Sequence, residues 1–435
     1  MSKTALNPDT DLSGYMTVLG EQARAAAAEL RLAKSDQKIQ ALNHMATEIR
    51  EAQDDILKTN AIDMERAETK GISGSFLDRL KLDAGRIEGI ATGLEEIAIL
   101  PEPVGSVDET WTQPNGLKFS KVRVPIGVIG MIYESRPNVT ADAGALCVKS
   151  GNACILRGGS ESINSSRAIH RALIAGLEKA GLPSNAIQLI ATTDRAAVGH
   201  LLGGLDGCVD LIIPRGGKSL IARVQSDARV PVLAHLEGLC HTYVHAGADL
   251  DKAEAIILNA KLRRTGVCGS TETMLIDADI AQTALPRLAT ALTQKGCELR
   301  GDKASQLLHK DIKPAADNDY FTEHLAPILN IRIVENIDAA LTHIGHYGSG
   351  HTDAIVTEDK DAAVRFLRDV DSAICMHNTS TQFADGGQFG FGAEIGIATG
   401  RLHARGPVGA QHLTTYKYQV EGDGCLLYTS PSPRD

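Results

Sequence analysis

Positions Ile39, Leu42, Ala46, Ile49, Gln53 and Ile56 share one face at spacings of three and four, and Ile87, Ile90, Leu94 and Ile97 repeat the pattern. This period predicts amphipathic helices over the first hundred residues, with Ser35 and Asp36 as N-cap candidates and Pro101 and Pro103 as a stop. Helices of this kind are expected to cover a sheet and to carry no chemistry. From Trp111 to Val124 the pattern alternates weakly around Pro114-Asn115-Gly116, a hairpin turn signal. Such a hairpin has too little apolar face to stand alone, so a further strand is expected, supplied by a second subunit.

Between Pro125 and Glu237 short continuous apolar runs alternate with helical patterns. The runs are Gly127 to Tyr133, Ala153 to Leu156, Ile187 to Ile190, Val209 to Ile213 and Val230 to Leu233; one intervening helix spans Ser162 to Ala180. That alternation predicts a parallel, doubly wound sheet whose strands are covered on both faces. After Glu237 a second such unit follows. Its strands are Cys240 to Val244, Glu272 to Ile276, Ile328 to Val334 and Ala354 to Thr357; its helices are Leu250 to Leu262, Ile280 to Leu292, Ala339 to Ile344 and Ala362 to Leu367. Asp385 to Arg405 is Gly-rich and irregular, and Val408 to Val420 reads as an extended arm.

Composition narrows the function classes. The chain has 435 residues, 43% hydrophobic and 23% charged, as in an ordinary globular enzyme of two or three domains. Its formal charge of -10 comes without a basic block, so neither nucleic acid nor an anionic membrane is an expected partner. No apolar run approaches the roughly 18 residues of a membrane span, and the first residues carry no secretory pattern. The eight cysteines show no C-x-x-C or zinc spacing; Cys147, Cys154, Cys208 and Cys375 lie in apolar runs and read as core. The expectation is a reduced, cytoplasmic, metal-free protein. Residues 425–435 break with what precedes them and resemble a translated sequencing adapter; they are expected to form a disordered tail without functional residues, with the native C-terminus lost just beyond Gly424.

Three places carry candidate chemistry. Arg157-Gly158-Gly159-Ser160 and Arg215-Gly216-Gly217-Lys218-Ser219 each put glycine N–H groups and a cation where a strand runs into a helix, a site suited to phosphate. Two such junctions in one sheet favour a dinucleotide, although neither is the G-x-G-x-x-G fingerprint. The third place is Arg264-Thr265-Gly266-Val267-Cys268-Gly269-Ser270. A cysteine among glycines and hydroxyls, after two arginines, reads as a reactive thiol, with the arginines favouring the thiolate.

Tyr133-Glu134-Ser135-Arg136-Pro137-Asn138-Val139-Thr140, Arg264-Thr265-Gly266-Val267-Cys268 and the stretch Ala340-Leu341-Thr342-His343-Ile344-Gly345-His346-Tyr347-Gly348-Ser349-Gly350-His351-Thr352-Asp353-Ala354-Ile355 together resemble the aldehyde dehydrogenase superfamily. The resemblance extends over Met1 to Val420, and the last stretch matches the signature of the superfamily's acyl-phosphate reductases of proline synthesis. It implies an α/β fold of two doubly wound domains with a small β oligomerisation arm. Residues 1–110 and 125–237 would bind NADPH, 238–405 would carry the cysteine, and 111–124 with 406–422 would form the arm of a homo-oligomer.

The implied reaction is NADPH-dependent reduction of L-glutamyl 5-phosphate to L-glutamate 5-semialdehyde and phosphate through a cysteine thioester, with a glutamate 5-kinase as supplier of the labile acyl phosphate. Cys268 is similar to the superfamily nucleophile, and Asn138 to the carboxamide that shares the oxyanion with the Cys268 N–H. Arg157 and Ser160 fall at the adenosine ribose; a serine where an acid would repel a 2′-phosphate favours NADPH over NADH, with Glu161 adjacent. Arg215, Gly216, Gly217 and Lys218 would serve the cofactor phosphates, and Glu323, in Glu-His-Leu-Ala-Pro, the nicotinamide ribose. A phosphate leaving group needs cations, for which Arg136 and Arg264 are the candidates; Ser349 and His351 would meet the glutamyl portion. Leu236-Glu237-Gly238 resembles the general-base motif of hydrolytic relatives. A reductase must keep water from its thioester, so Glu237 is not expected to act. The rivals are an acyl-CoA-dependent relative and a non-catalytic binding protein of the same fold.

Overall fold

The computed structural model describes residues 8, 10–72 and 74–427. Most of the expected tail, from residue 428 on, lies outside them, while Leu426 and Leu427 are exposed. No described helix is long and apolar enough to cross a membrane.

The N-terminal helices are Leu12–Leu30, Ser35–Glu51, Gln53–Thr69, Ser75–Leu80 and Ala84–Ala98. The stripe expected to run from Ile39 to Ile56 breaks at Ala52, which ends one helix and begins the next. Lys34 occupies the N-cap position and Ser35 is the first helical residue, so neither proposed cap is one. Leu42, Ala46, Ile49 and Ile56 are fully buried, as their spacing requires. These helices share one core with the first sheet and with helix Ile163–Lys179. The approach is closest at Gly176, where a Cβ would lie 2.5 Å from the backbone nitrogen of Met45.

The first sheet is parallel, in the order Ile187–Leu189, Ala153–Arg157, Val128–Tyr133, Leu211–Arg215. The expected fifth strand, Val230 to Leu233, contributes a single parallel bridge between Val232 and Ile212. Pro231 has no N–H to extend a ladder. The second sheet has seven parallel strands, in the order Ile312–Pro314, Glu298–Gly301, Ile328–Val334, Thr271–Asp277, Cys240–Val244, Thr352–Val356, Ile374–His377. Three of these were not expected: Glu298–Gly301, Ile312–Pro314 and Ile374–His377 are short and partly exposed, and so lack the continuous apolar run of a central strand.

The third sheet is antiparallel and joins Val107–Thr112, Lys118–Pro125 and Thr414–Glu421. The hairpin therefore obtains its third strand from its own chain, in register from Thr414 opposite Pro125 to Glu421 opposite Lys118, and not from a second subunit. Trp111 stacks on Phe119 at 5.2 Å and meets Tyr418 edge-on at 5.9 Å, which gives this small sheet its apolar face.

Candidate active site

Parallel strands start at the same end, so residues preceding neighbouring strands are brought together. In the second sheet the neighbours Thr271–Asp277, Cys240–Val244 and Thr352–Val356 are preceded by Cys268, by Gly238 and by His351. The connection out of the first sheet adds His235. The ligating atoms of His235, Cys268 and His351 all lie within 4.8 Å of one another, and the two imidazoles meet edge-to-face at 5.0 Å. His235 was not anticipated from the sequence. His351, expected at the glutamyl portion, stands against the thiol.

The backbone of the cysteine is tightly held. The Cys240 thiol donates to the Cys268 carbonyl at 3.1 Å. A Cβ on Gly238 would lie 2.1 Å from that same carbonyl oxygen, so only glycine fits there. Gln382 Nε2 donates to the carbonyls of Ala260 and Arg264 at 2.9 and 3.2 Å, tying the loop to the helix before it.

Burial raises the Cys268 thiol, but the nearby His351 and His235 outweigh it and leave the thiol well below its ordinary range. Burial likewise disfavours charge on His235; its hydrogen bond and attraction to Cys268 prevail, and its pKa is raised. Thiolate and imidazolium therefore stabilise each other. The upstream arginines, expected to tune the thiol, act elsewhere: Arg263 reaches Gln382 at 3.4 Å, and Arg264 adds to a cluster of cations.

That cluster draws on four segments. Arg136 is pushed down to about 10 by burial and then by Arg215, Arg79 and Arg264, while the Cys268 charge opposes them. Arg79 Nη2 donates to the Gly266 carbonyl at 3.3 Å. Arg215, assigned by its motif to cofactor phosphate, approaches Glu394 at 4.0 Å and packs under Gly396. Its charge is felt by His235 and by Arg136. The carboxyl ends of the first sheet and the amino ends of the second thus share one charged site.

Asn138 precedes helix Val139–Lys149, and its Nδ2 donates to Asp142 Oδ2 at 2.9 Å, leaving the second N–H of the amide to point elsewhere. Burial pushes Asp142 up to about 6, against the Asn138 hydrogen bond and the charges of Arg215 and Arg136. Glu323 accepts from the Gly238 N–H at 3.0 Å, and burial followed by the Cys268 charge keeps its pKa raised. Ser349 Oγ accepts from the Leu239 N–H at 2.9 Å. Glu237 is ion-paired to Lys218 at 2.7 Å, which accounts for a base motif without a free base. The pair also engages Lys218, assigned to phosphate.

A cleft of about 520 Å³ opens at the carboxyl ends of the first sheet, lined by Arg157, Ser160, Thr193, Arg195 and Arg223 among others. Arg157 donates to the carbonyls of Gly158 and Thr193 while its buried Nε has no partner. Glu161 is turned inward: it accepts from Ser135 N at 2.6 Å and from Ser135 Oγ at 2.9 Å, holding that residue at a left-handed φ of 46°. At the second junction the Gly217 N–H is taken by Glu134 Oε2 at 2.9 Å, and Ser219, Leu220 and Arg223 line the cleft in place of Gly216 and Lys218. The unpartnered Nε of Arg157 and the exposed Ser160 suit the phosphorylated end of a dinucleotide.

Residues 17–306 match the model of the aldehyde dehydrogenase family. The gamma-glutamyl phosphate reductase of Caulobacter vibrioides is 60% identical over 94% of this chain and 99% of its own length. The crystal structure of gamma-glutamyl phosphate reductase from Thermotoga maritima superposes with a TM-score of 0.93 at 42% identity, covering 95% of this chain and all of that one. An acetylating aldehyde dehydrogenase from Geobacillus thermoglucosidasius shares the fold at 18% identity, with a TM-score of 0.70 over 97% of this chain.

Proposed function

The chain belongs to the gamma-glutamyl phosphate reductases of the aldehyde dehydrogenase family, and from that premise we propose that it reduces L-glutamyl 5-phosphate to L-glutamate 5-semialdehyde, releasing phosphate, with NADPH as reductant and Cys268 as the carrier of a thioester. The observation that carries the proposal is a thiol clustered with two imidazoles and near Arg136, around which arginines from three other segments gather. A thiolate is the nucleophile an acyl phosphate calls for, and the arginines are what its dianionic leaving group needs.

The residues divide the work as follows. The Cys268 thiolate attacks the acyl carbon. The spare Asn138 N–H and the Cys268 N–H receive the oxyanion, Asn138 being oriented by Asp142. As the tetrahedral adduct collapses, the C–O bond to phosphate breaks, and Arg136, Arg264, Arg79 and Arg215 hold the departing anion. The thioester remains on Cys268. Arg157, Ser160, Arg195 and Arg223 would hold the adenosine end of NADPH and Glu323 its nicotinamide ribose, and the cofactor so held would supply a hydride to the thioester carbon. The Cys268 C–S bond then breaks to free the aldehyde, and His235 and His351 receive the regenerated thiolate as they held it before. The Lys218 ion pair keeps Glu237 from activating water against the thioester.

The test is the reverse reaction: semialdehyde oxidation with NADP, dependent on phosphate and not supported by CoA, compared with NAD. Turnover with CoA in place of phosphate would favour the acyl-CoA rival, and full activity in Cys268→Ser would remove the thioester from the scheme.

A further inference from the structure

His235, Cys268 and His351 converge from three separate segments, and their donor atoms lie within 4.8 Å of one another. In each imidazole the other nitrogen is already committed. His235 Nδ1 bonds the Ile397 carbonyl at 2.8 Å, and His351 Nδ1 bonds Thr352 Oγ1 at 2.9 Å. His351 is fully buried, and its Nε2 has no hydrogen-bond partner. For His235 the ring N–H given to a backbone carbonyl fixes the tautomer and leaves the lone pair on Nε2, as in metal-ligating histidines; the Thr352 hydroxyl can donate or accept, so His351 can present its Nε2 lone pair as well. Glu323 and Glu394 add negative charge close to Cys268, whereas Arg136 and Arg215 oppose a cation.

We infer that His235, Cys268 and His351 form a site for a thiophilic divalent cation of the zinc class, whose binding switches the enzyme off reversibly. Two imidazoles and a thiolate are a donor set that zinc prefers over magnesium or calcium, and three protein ligands leave the fourth tetrahedral position to water. Metal–ligand bonds of about 2.0–2.3 Å place the donors roughly 3.5 Å apart, so rotations moving each by about an ångström close the site. On binding, the proton held by the thiolate–imidazolium pair passes to solvent, and the Cys268 thiolate and the freed imidazole lone pairs bond the metal; no electron is transferred, and a chelator restores the pair. Cation binding stands on the geometry alone, while loss of activity rests on Cys268 being the nucleophile.

The full chain, carrying Cys425→Ser to remove the exposed C-terminal thiol, is titrated without substrate with Co2+ and Cd2+. Metal–thiolate charge-transfer absorption is followed; Zn2+ stoichiometry is measured calorimetrically and activity is assayed in parallel. The expected result is one equivalent per chain, and a band absent in Cys268→Ser. Affinity should fall tenfold or more in His235→Asn and His351→Gln, with activity falling in step with occupancy and returning with chelator. Circular dichroism confirms that each variant is folded; if His351→Gln is not, His235→Asn, at a partly exposed position, decides alone. A folded His235→Asn with unchanged affinity would overturn the site. A stoichiometric band with full activity retained would overturn the switch, and with it the nucleophile reading. Inhibition without the band would place the cation elsewhere.

Discussion

Gly238 makes the sharpest test of how the proposed nucleophile is positioned. A Cβ there would lie 2.1 Å from the Cys268 carbonyl oxygen, 2.7 Å from its carbon and 2.8 Å from its Cα. All three atoms are backbone, so no side chain can swing aside. Carbon–oxygen contacts settle at roughly 3.3 Å or more, so Gly238→Ala must push the cysteine loop away by about 1.2 Å. A displacement near 1 Å at a reacting group costs on the order of 10²-fold in rate, while overpacking costs about 1–3 kcal/mol of stability. The expected variant is folded, melts somewhat lower and turns over about 100-fold more slowly. Its Cys268 should also alkylate with iodoacetamide at an altered rate, because the imidazoles no longer face it. Gly266, on the other side of the cysteine, is the control: its nearest neighbour to a new Cβ is the end of Arg79 at 4.0 Å, so Gly266→Ala should leave stability unchanged. Steady-state rates and thermal melts of both variants suffice. If Gly238→Ala turned over within twofold of the parent, the close backbone contact would not be what aims the thiol.

Other expectations follow from the same geometry. Asp142 sits at about 6 in the fold against an ordinary 3.8, so the native state holds the extra proton. Relative to Asp142→Asn, the parent should therefore lose stability as pH rises from about 4 to about 6, measured by urea unfolding at several pH values; a parallel pair of curves would contradict this. Lys261 and Glu272 form a buried ion pair at 2.6 Å under the cysteine loop. Lys261→Met alone should cost about 3–5 kcal/mol by stranding a carboxylate, and adding Glu272→Leu should recover most of it. Arg136→Met should lower kcat/KM for phosphate in the semialdehyde-oxidising direction by roughly 10- to 100-fold, the worth of one charge-assisted hydrogen bond. An unchanged phosphate dependence would exclude Arg136 from the leaving-group site.

Much of the fold was legible because strands such as Val128–Tyr133 and Ala153–Arg157 are near-continuous apolar runs, and Cys240–Val244, Ile328–Val334 and helix Leu250–Leu262 also fall where the pattern places them. The short outer strands Glu298–Gly301, Ile312–Pro314 and Ile374–His377 were not, since a half-exposed strand of three or four residues leaves no periodic trace. The third strand of the arm was misassigned to a partner because pairing across nearly three hundred residues has no local signature. In the site, Cys268 stood out through its small neighbours and Asn138 through its motif. His235 did not: a histidine between Ala234 and Leu236 looks like any other, and only the crossing from the first sheet to the second brings it to the thiol.

The same distinction bears on how the chemistry is divided. Motif reading assigned Arg215 and Lys218 together to cofactor phosphate because they are three residues apart in one glycine-rich turn. Folding separates them. Arg215 closes a strand beside Glu394 and joins the cations around Arg136, whereas Lys218 opens helix Lys218–Asp227 and pairs with Glu237. Under the proposed thioester chemistry, one turn would serve two opposing needs. It supplies a cation where phosphate must leave, and it engages the carboxylate that could otherwise activate water. Lys218→Ala should accordingly leave phosphate affinity intact but release Glu237, so that part of the thioester is lost as glutamate. Product analysis with labelled acyl phosphate would measure this, and a reduced phosphate affinity with no glutamate formed would return Lys218 to the role its motif suggested.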